Sequence, residues 1–195
     1  MSLDRRQRVP AAAVGVALIG VCWLAGAGVT ARAQTPVDDA ARPWSAMWPR
    51  ELRDLDGRAW TAENLRGRVV LLDFWATWCA PCLAQLPELR RLHHAQAGSG
   101  LLVLGVNLDG GARRALRAFV ARHDIDWPQF HDPRAFAAEL PRRFGVESVP
   151  RTLLFDRAGR LVAVDLEASR LAAALPPLLE QPPPRSEPTP PRSDG

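Results

Sequence analysis

The chain has 195 residues, room for one ordinary domain plus extensions. Hydrophobic residues make up 47% and charged residues 24%, a globular balance that excludes a wholly disordered or collagen-like chain. All 25 basic residues are arginine; the first 33 residues carry a net +3 of the total +4, so the rest is near neutral with mixed signs and lacks the clustered basic face of a nucleic-acid binder.

The N-terminal stretch predicts export. Arg5, Arg6 and Arg8 form a basic head, Val9–Val29 carries no charge, and Ala31-Arg32-Ala33 presents small residues at a cleavage-type site. The apolar run approaches the roughly 20 residues that span a bilayer. Two readings of residues 1–33 therefore stand: a signal peptide cut after Ala33, or a single-span membrane anchor. Both place the domain outside the cytoplasm, in the periplasm, with the arginines held inside. Val21 is too large for a lipid-attachment motif, so Cys22 reads as a passenger. Outside the cytoplasm thiols tend towards oxidation, and only Cys79 and Cys82 follow the export segment.

Residues 34–49 read as an irregular linker. Asp56-Gly57 between short alternating runs predicts a hairpin over 52–60. Val69–Trp75 (VVLLDFW) is an apolar run of strand length with one polar member, Asp73, as in a sheet covered on both faces. Leu83, Leu86, Leu89 and Leu92 stripe a helix over 80–97, with Pro87 inside it. A strand follows over 101–106 and an arginine-rich amphipathic helix over 111–123, with Arg113, Arg114 and Arg117 on its solvated face. Then come a short strand at 127–130, a short helix at 133–143, a strand at 152–156, a turn at 157–160 and its hairpin partner at 161–164. A last helix over 171–179 is expected to end at Pro176-Pro177. From Pro182 six of fourteen residues are proline, and residues 181–195 read as a disordered or polyproline-like tail. Strands alternating with helices before a final hairpin predict an α/β fold, with early strands parallel and the last hairpin antiparallel.

The chemistry concentrates at Trp78-Cys79-Ala80-Pro81-Cys82, where the apolar strand gives way to the leucine-striped helix. A helix start offers unsatisfied N–H groups and about half a positive charge, which favour a thiolate. Cys79 is expected exposed at that start and Cys82 more covered one turn in. Pro81 suits the first turn, where its missing N–H costs nothing. A cysteine pair three apart also admits a static disulfide or half of a metal site. A static bridge over so small a loop removes little unfolded-state entropy. A metal would have to draw on His93, His94, His123 or His131, and the adjacent His93 and His94 cannot both face the cysteines. A thiol peroxidase would place its nucleophile in a Pro-x-x-x-Thr-x-x-Cys setting, which does not precede Cys79.

Asp73-Phe-Trp-Ala-Thr-Trp-Cys-Ala-Pro-Cys82 resembles the active-site segment of the thioredoxin superfamily. Leu86-Pro-Glu-Leu89 is similar to the extracytoplasmic TlpA/ResA group, which includes reductases of cytochrome c maturation. Gly145–Asp156 resembles that family's loop with a cis-proline before a strand. The resemblance spans residues 50–180 and implies a thioredoxin-like domain: a central mixed sheet flanked by helices, with the hairpin as an N-terminal extension. It implies a thiol–disulfide oxidoreductase, mainly a reductase of exported proteins, fed electrons by a membrane thiol carrier and needing no cofactor or metal beyond its own cysteine pair. Cys79 would attack, Cys82 would resolve, Pro150 would be the cis-proline, Val149 would offer main-chain contacts to substrate, and Trp78 would flank the site. Asp73 would take the proton of Cys82 during resolution, or serve as a buried hydrogen-bonded carboxylate. Arg151 would favour the thiolate if it points to the dithiol; the other reading leaves it solvated on the rim. Gln85 stands where the cytochrome-maturation group often carries an acid. The rival expectation is a binding protein for copper or haem assembly that uses the cysteine pair without turnover.

Overall fold

The computed structural model describes residues 43–184, apart from residue 97. In chain order the elements are α1 (Trp44–Met47), β1 (Leu52–Arg53), β2 (Ala59–Trp60), α2 (Ala62–Leu65), β3 (Val69–Trp75), α3 (Ala80–Ala95), β4 (Leu101–Asn107), α4 (Arg113–Arg122), β5 (Gln129–His131), a 3₁₀ turn (Ala135–Ala137), α5 (Glu139–Arg143), β6 (Arg151–Phe155), β7 (Leu161–Val164) and α6 (Ala168–Leu179). Residues 1–33, read from the sequence as an export segment, and tail residues 185–195 lie outside the described residues. Among the described residues no helix is long and apolar enough to cross a membrane.

The main sheet has the order β5-β4-β3-β6-β7. β3 pairs in parallel with β4 and antiparallel with β6, so both its edges are satisfied. This explains its unbroken apolar run: all seven residues are buried, and strand alternation divides them between two cores. Val70, Leu72 and Phe74 face a core shared with Trp44, Trp48, Trp60, Phe130 and Leu140. Val69, Leu71 and Trp75 face the other, covered by Leu86, Leu89 and Leu92 of α3, Leu116 of α4, and Leu171 and Leu175 of α6. The sheet is mixed, with the first three strands parallel and the last hairpin antiparallel, as the sequence pattern implied.

Four local expectations change. The lead-in is not irregular throughout: Trp44–Met47 makes a helical turn, and Trp44, Met47 and Trp48 are buried. Three large apolar side chains within five residues found core to cover. The single helix over 133–143 is instead the 3₁₀ turn and α5, separated at Ala138, whose extended backbone (ψ 163°) interrupts the helix. Pro176 and Pro177 do not end α6; the helix runs to Leu179, pinned by buried Leu171 and Leu175. Arg117 is not a free surface cation: its guanidinium donates to the Leu55 carbonyl and lies 3.8 Å from Asp56, tying α4 to the β1–β2 turn. Buried Asp54 holds that turn, accepting the N–H groups of Asp56 and Arg58 (both 2.9 Å) and the Trp60 indole N–H (2.8 Å).

At the end of the sheet where β3 begins, Arg157 gathers three backbone carbonyls, of Gly67 (2.7 Å), Ser99 (3.1 Å) and Leu179 (2.8 Å). It joins the approaches to β3 and β4 to the last turn of α6, where a cation also complements the helix dipole. Arg157→Met keeps much of the stem and removes all three charge-assisted bonds. The expected loss is about 2 kcal/mol of unfolding free energy, read from urea denaturation.

Candidate active site

β3 delivers the chain from the buried Trp75 and Ala76 through Thr77 and Trp78 to Cys79, which caps α3. The cap is specific. The Cys82 N–H donates to the Cys79 sulfur at 3.2 Å, the contact an oxygen side chain makes at a helix N-cap. The Leu83 N–H closes the first helical bond on the Cys79 carbonyl at 3.1 Å. Pro81 occupies the first turn, as expected. Cys79 and Cys82 are joined as a disulfide, with Cα atoms 5.3 Å apart. The expected asymmetry of exposure is absent from this bridged form: each cysteine is only 4% exposed. Both cysteines belong to the core that α3 covers. Trp78 next to them is the reverse, an indole 64% exposed on the rim.

Asp73 alternates with Leu71 and Trp75 and therefore lies on the cysteines' side of the sheet. The strand registers set Thr152 opposite it on one side and Gly105, then Gln129, on the other. A polar row thus crosses an otherwise apolar sheet face. Burial pushes the Asp73 carboxyl up from 3.8 to about 7, because a charge there loses its water. Gln129 accepts the Trp75 indole N–H at 2.9 Å and donates to the Trp127 carbonyl at 3.2 Å. Gly105 makes that possible: a Cβ there would lie 2.2 Å from the Gln129 amide oxygen.

The Val149–Pro150 peptide is cis. Because Arg151 pairs with Phe74, Pro150 comes level with the end of β3 from which the dithiol loop departs. Val149 is half-buried and touches both cores. A small cleft of about 60 Å³ opens here, lined by Gln85, Pro150, Thr152, Asp165, Leu166 and Glu167. Arg151 follows neither expectation. Its partner across the sheet is Phe74, whose side chain faces the core away from the cysteines, and its guanidinium binds Asp165 at 2.7 Å. The other Asp165 oxygen accepts the Thr152 N–H at 3.1 Å, so this carboxylate fixes the cis-proline loop to β7.

Thus Trp78, Cys79, Cys82, Asp73, Val149 and Pro150 gather at one end of β3, and Arg151 braces the loop from behind. Nothing local in the sequence marks Thr152, Gln129 or Asp165 as part of the site, since the partners that place them are remote along the chain. The glycine within a buried strand at 105 was the available signal, because such a residue marks a close approach. The histidines of α3 lie elsewhere: both ring Nε2 atoms approach Asp126 (3.6 Å from His93, 2.8 Å from His94), and His93 is partly buried near Trp127. Among the described residues no group of three or more His, Cys, Asp or Glu side chains is placed to hold a metal ion.

The model of the AhpC/TSA family matches residues 39–164. The chain is 32% identical over 110 residues to the thioredoxin-like protein YneN of Bacillus subtilis, covering 55% of this chain and 62% of that protein. It is 31% identical over 110 residues to the thiol-disulfide oxidoreductase ResA of Geobacillus thermodenitrificans, covering 56% and 61% respectively. The chain thus spans about three fifths of the length of these relatives. Among solved structures, a secreted thiol-disulfide isomerase from Corynebacterium glutamicum superposes with a TM-score of 0.58 at 28% identity, over 67% of this chain and 83% of that one.

Proposed function

Because the chain belongs to the AhpC/TSA family and has a thioredoxin-like fold, we propose that it is an extracytoplasmic thiol–disulfide oxidoreductase that reduces disulfides of exported proteins. The observation that carries this reading is a cysteine pair at a helix start, with the Cys79 sulfur accepting a main-chain N–H and a buried carboxyl on the same side of the sheet.

In the dithiol form the Cys79 thiolate attacks a partner disulfide. One partner sulfur leaves as a thiolate, and a mixed disulfide joins the partner to Cys79. Cys82 then gives its proton to Asp73 and attacks the Cys79 sulfur. The second partner sulfur leaves and the Cys79–Cys82 bridge forms, so two electrons have passed to the partner. With its carboxyl near 7, Asp73 is partly ionised at neutral pH and able to take that proton. Trp78, Val149 and Pro150 form the rim against which the partner segment lies, and Arg151 with Asp165 steadies that rim. A membrane thiol carrier returns the bridge to the dithiol. The export reading of residues 1–33, as cleaved signal or inner-membrane anchor, supports the periplasmic setting, as do the relatives named as secreted or as ResA. A role in cytochrome c maturation stays the narrower form of the proposal, with Gln85 against it.

Cys82→Ser stops the reaction at the mixed disulfide. Expressed with its export segment, it is expected to accumulate covalent adducts through Cys79 that dissolve in dithiothreitol, and their protein partners identify the substrates. A Cys82→Ser protein without adducts, and a native protein that retains stoichiometric copper or zinc yet fails to reduce insulin, would favour the metal-assembly reading instead. The direction of electron flow is set by the potential of the pair against its compartment. Equilibration with glutathione is expected to give a reducing value; a strongly oxidising one would make the protein a disulfide donor.

A further inference from the structure

Where β4 ends, three side chains lock around the loop that leads to Cys79. The Asp109 N–H donates to Asn107 Oδ1 at 3.1 Å, and Asn107 Nδ2 donates to Asp109 Oδ2 at 3.1 Å. These two contacts fix which end of the amide is oxygen, since the reverse would set donor against donor and acceptor against acceptor. The other carboxylate oxygen, Asp109 Oδ1, accepts the N–H of Thr77 at 3.0 Å, two residues before Cys79. From β5, His131 Nδ1 lies 3.2 Å from that same Asn107 Oδ1, and His131 Nε2 lies 2.9 Å from the Gly111 carbonyl. Both partners are acceptors. A neutral imidazole has one N–H and satisfies one of them; only the imidazolium donates from both nitrogens.

We propose that Asp109 and doubly protonated His131 are positioning residues that hold the Thr77–Cys79 loop in its exchange-ready place through Asn107, and that release of the His131 proton loosens this loop and slows attack by Cys79. The inference rests on the dithiol exchange proposed above. Imidazole is the side-chain group whose charge ordinarily changes between about pH 5 and 8, which sets the range over which the test is run. The charged groups around His131 come from several elements: Arg53 of β1, Asp109 after β4, Asp132 and Arg134 after β5, and Glu139 of α5. Arg53 is held by Glu51 (2.7 Å), Arg134 by Asp132 (2.6 Å) and Glu139 by Arg143 (2.7 Å). Asp109 has no such partner among the described residues and stands behind Asn107; the carboxyl of Asp132, held low chiefly by its hydrogen bond to Arg134, is also lowered by His131, so the imidazolium is answered by the two oxygen dipoles and by both carboxylates. On deprotonation the proton goes to solvent, and one of the two acceptors faces a bare nitrogen lone pair.

The test follows the Thr77 amide by hydrogen exchange in the full chain between pH 5.5 and 8, corrected for the intrinsic rate. Alongside, attack by Cys79 on a small aromatic disulfide is timed in the Cys82→Ser protein and corrected for thiolate fraction. In the native protein Thr77 protection is expected to fall about tenfold across that range, with a parallel slowing of Cys79. His131→Gln, which does not titrate, flattens both profiles. Asp109→Ala lowers Thr77 protection about tenfold at every pH. A His131→Gln protein that keeps the native pH profile overturns the proposal, as does an Asp109→Ala protein with unchanged Thr77 protection. The amide readout needs no turnover, so an expected Thr77 profile in a chain that never exchanges disulfides overturns the assigned function and leaves the network standing.

Discussion

Cys79→Ser is expected to lose disulfide reduction by at least about a thousandfold, measured as insulin reduction or as single-turnover reduction of an aromatic disulfide. A serine hydroxyl does not ionise near neutral pH, so no nucleophile remains at the helix start. The fold gives no ground for collapse, because serine is itself a favoured N-cap and its oxygen can accept the Cys82 N–H in place of the sulfur. The loss is therefore chemical, and the far-ultraviolet spectrum should stay native. Cys82 is no substitute attacker, being one turn inside α3, where its own N–H is turned on Cys79. Residual activity above about a tenth would mean that the pair is not used in this order.

Asp73→Asn has two expected consequences, one thermodynamic and one kinetic. Below pH 3.8 the carboxyl is protonated whether the chain is folded or not, and burial carries no ionisation penalty. Between 3.8 and about 7 the unfolded chain releases the proton while the folded one keeps it, so stability falls with rising pH by about 1.4 kcal/mol per unit. Above about 7 the folded group ionises too, and the loss levels off at roughly 4 kcal/mol. The asparagine protein lacks this term. Urea denaturation of the oxidised proteins is expected to show similar stabilities at pH 4 and a gain of several kcal/mol for the variant at pH 8. A gap that does not widen with pH would mean that the carboxylate keeps its water or a partner in the folded state. Kinetically, the variant should slow release of the mixed disulfide more than initial attack, because only the second step needs a base beside Cys82. Equal slowing of both would make Asp73 a structural residue.

Much of the site was legible in the sequence because it is local. The dithiol, the strand before it and the striped helix after it lie within 27 consecutive residues, Val69–Ala95, and nearest-neighbour rules place all three. Pro150 was legible through family resemblance, not through physics. What escaped shares one cause. Gln129 meets Trp75 across 54 positions, Arg157 meets Gly67 across 90, and Thr77 meets Asp109 across 32. Such contacts depend on the strand order β5-β4-β3-β6-β7, which periodicity alone does not reveal. The same limit explains Arg151: its face was decided by the β3–β6 register, one residue away from the alternative that would have aimed it at the dithiol. Element ends drifted for a simpler reason. Prolines predict a stop, yet α6 passes through two of them: Leu171 and Leu175 are buried before the pair, and the partly buried Leu178 and Leu179 pack against the same core after it.

A bridge between two cysteines that are each only 4% exposed, beside an indole standing well out into water, is shielded from bystanders. Random thiols in the surroundings collide with the protein's skin and find little sulfur to attack. Under the proposed function, electrons enter the bridge only when a visitor settles on the rim and uncovers the pair. Access, and not an unusual bond, is then what keeps the bridge from being opened by every passing thiol.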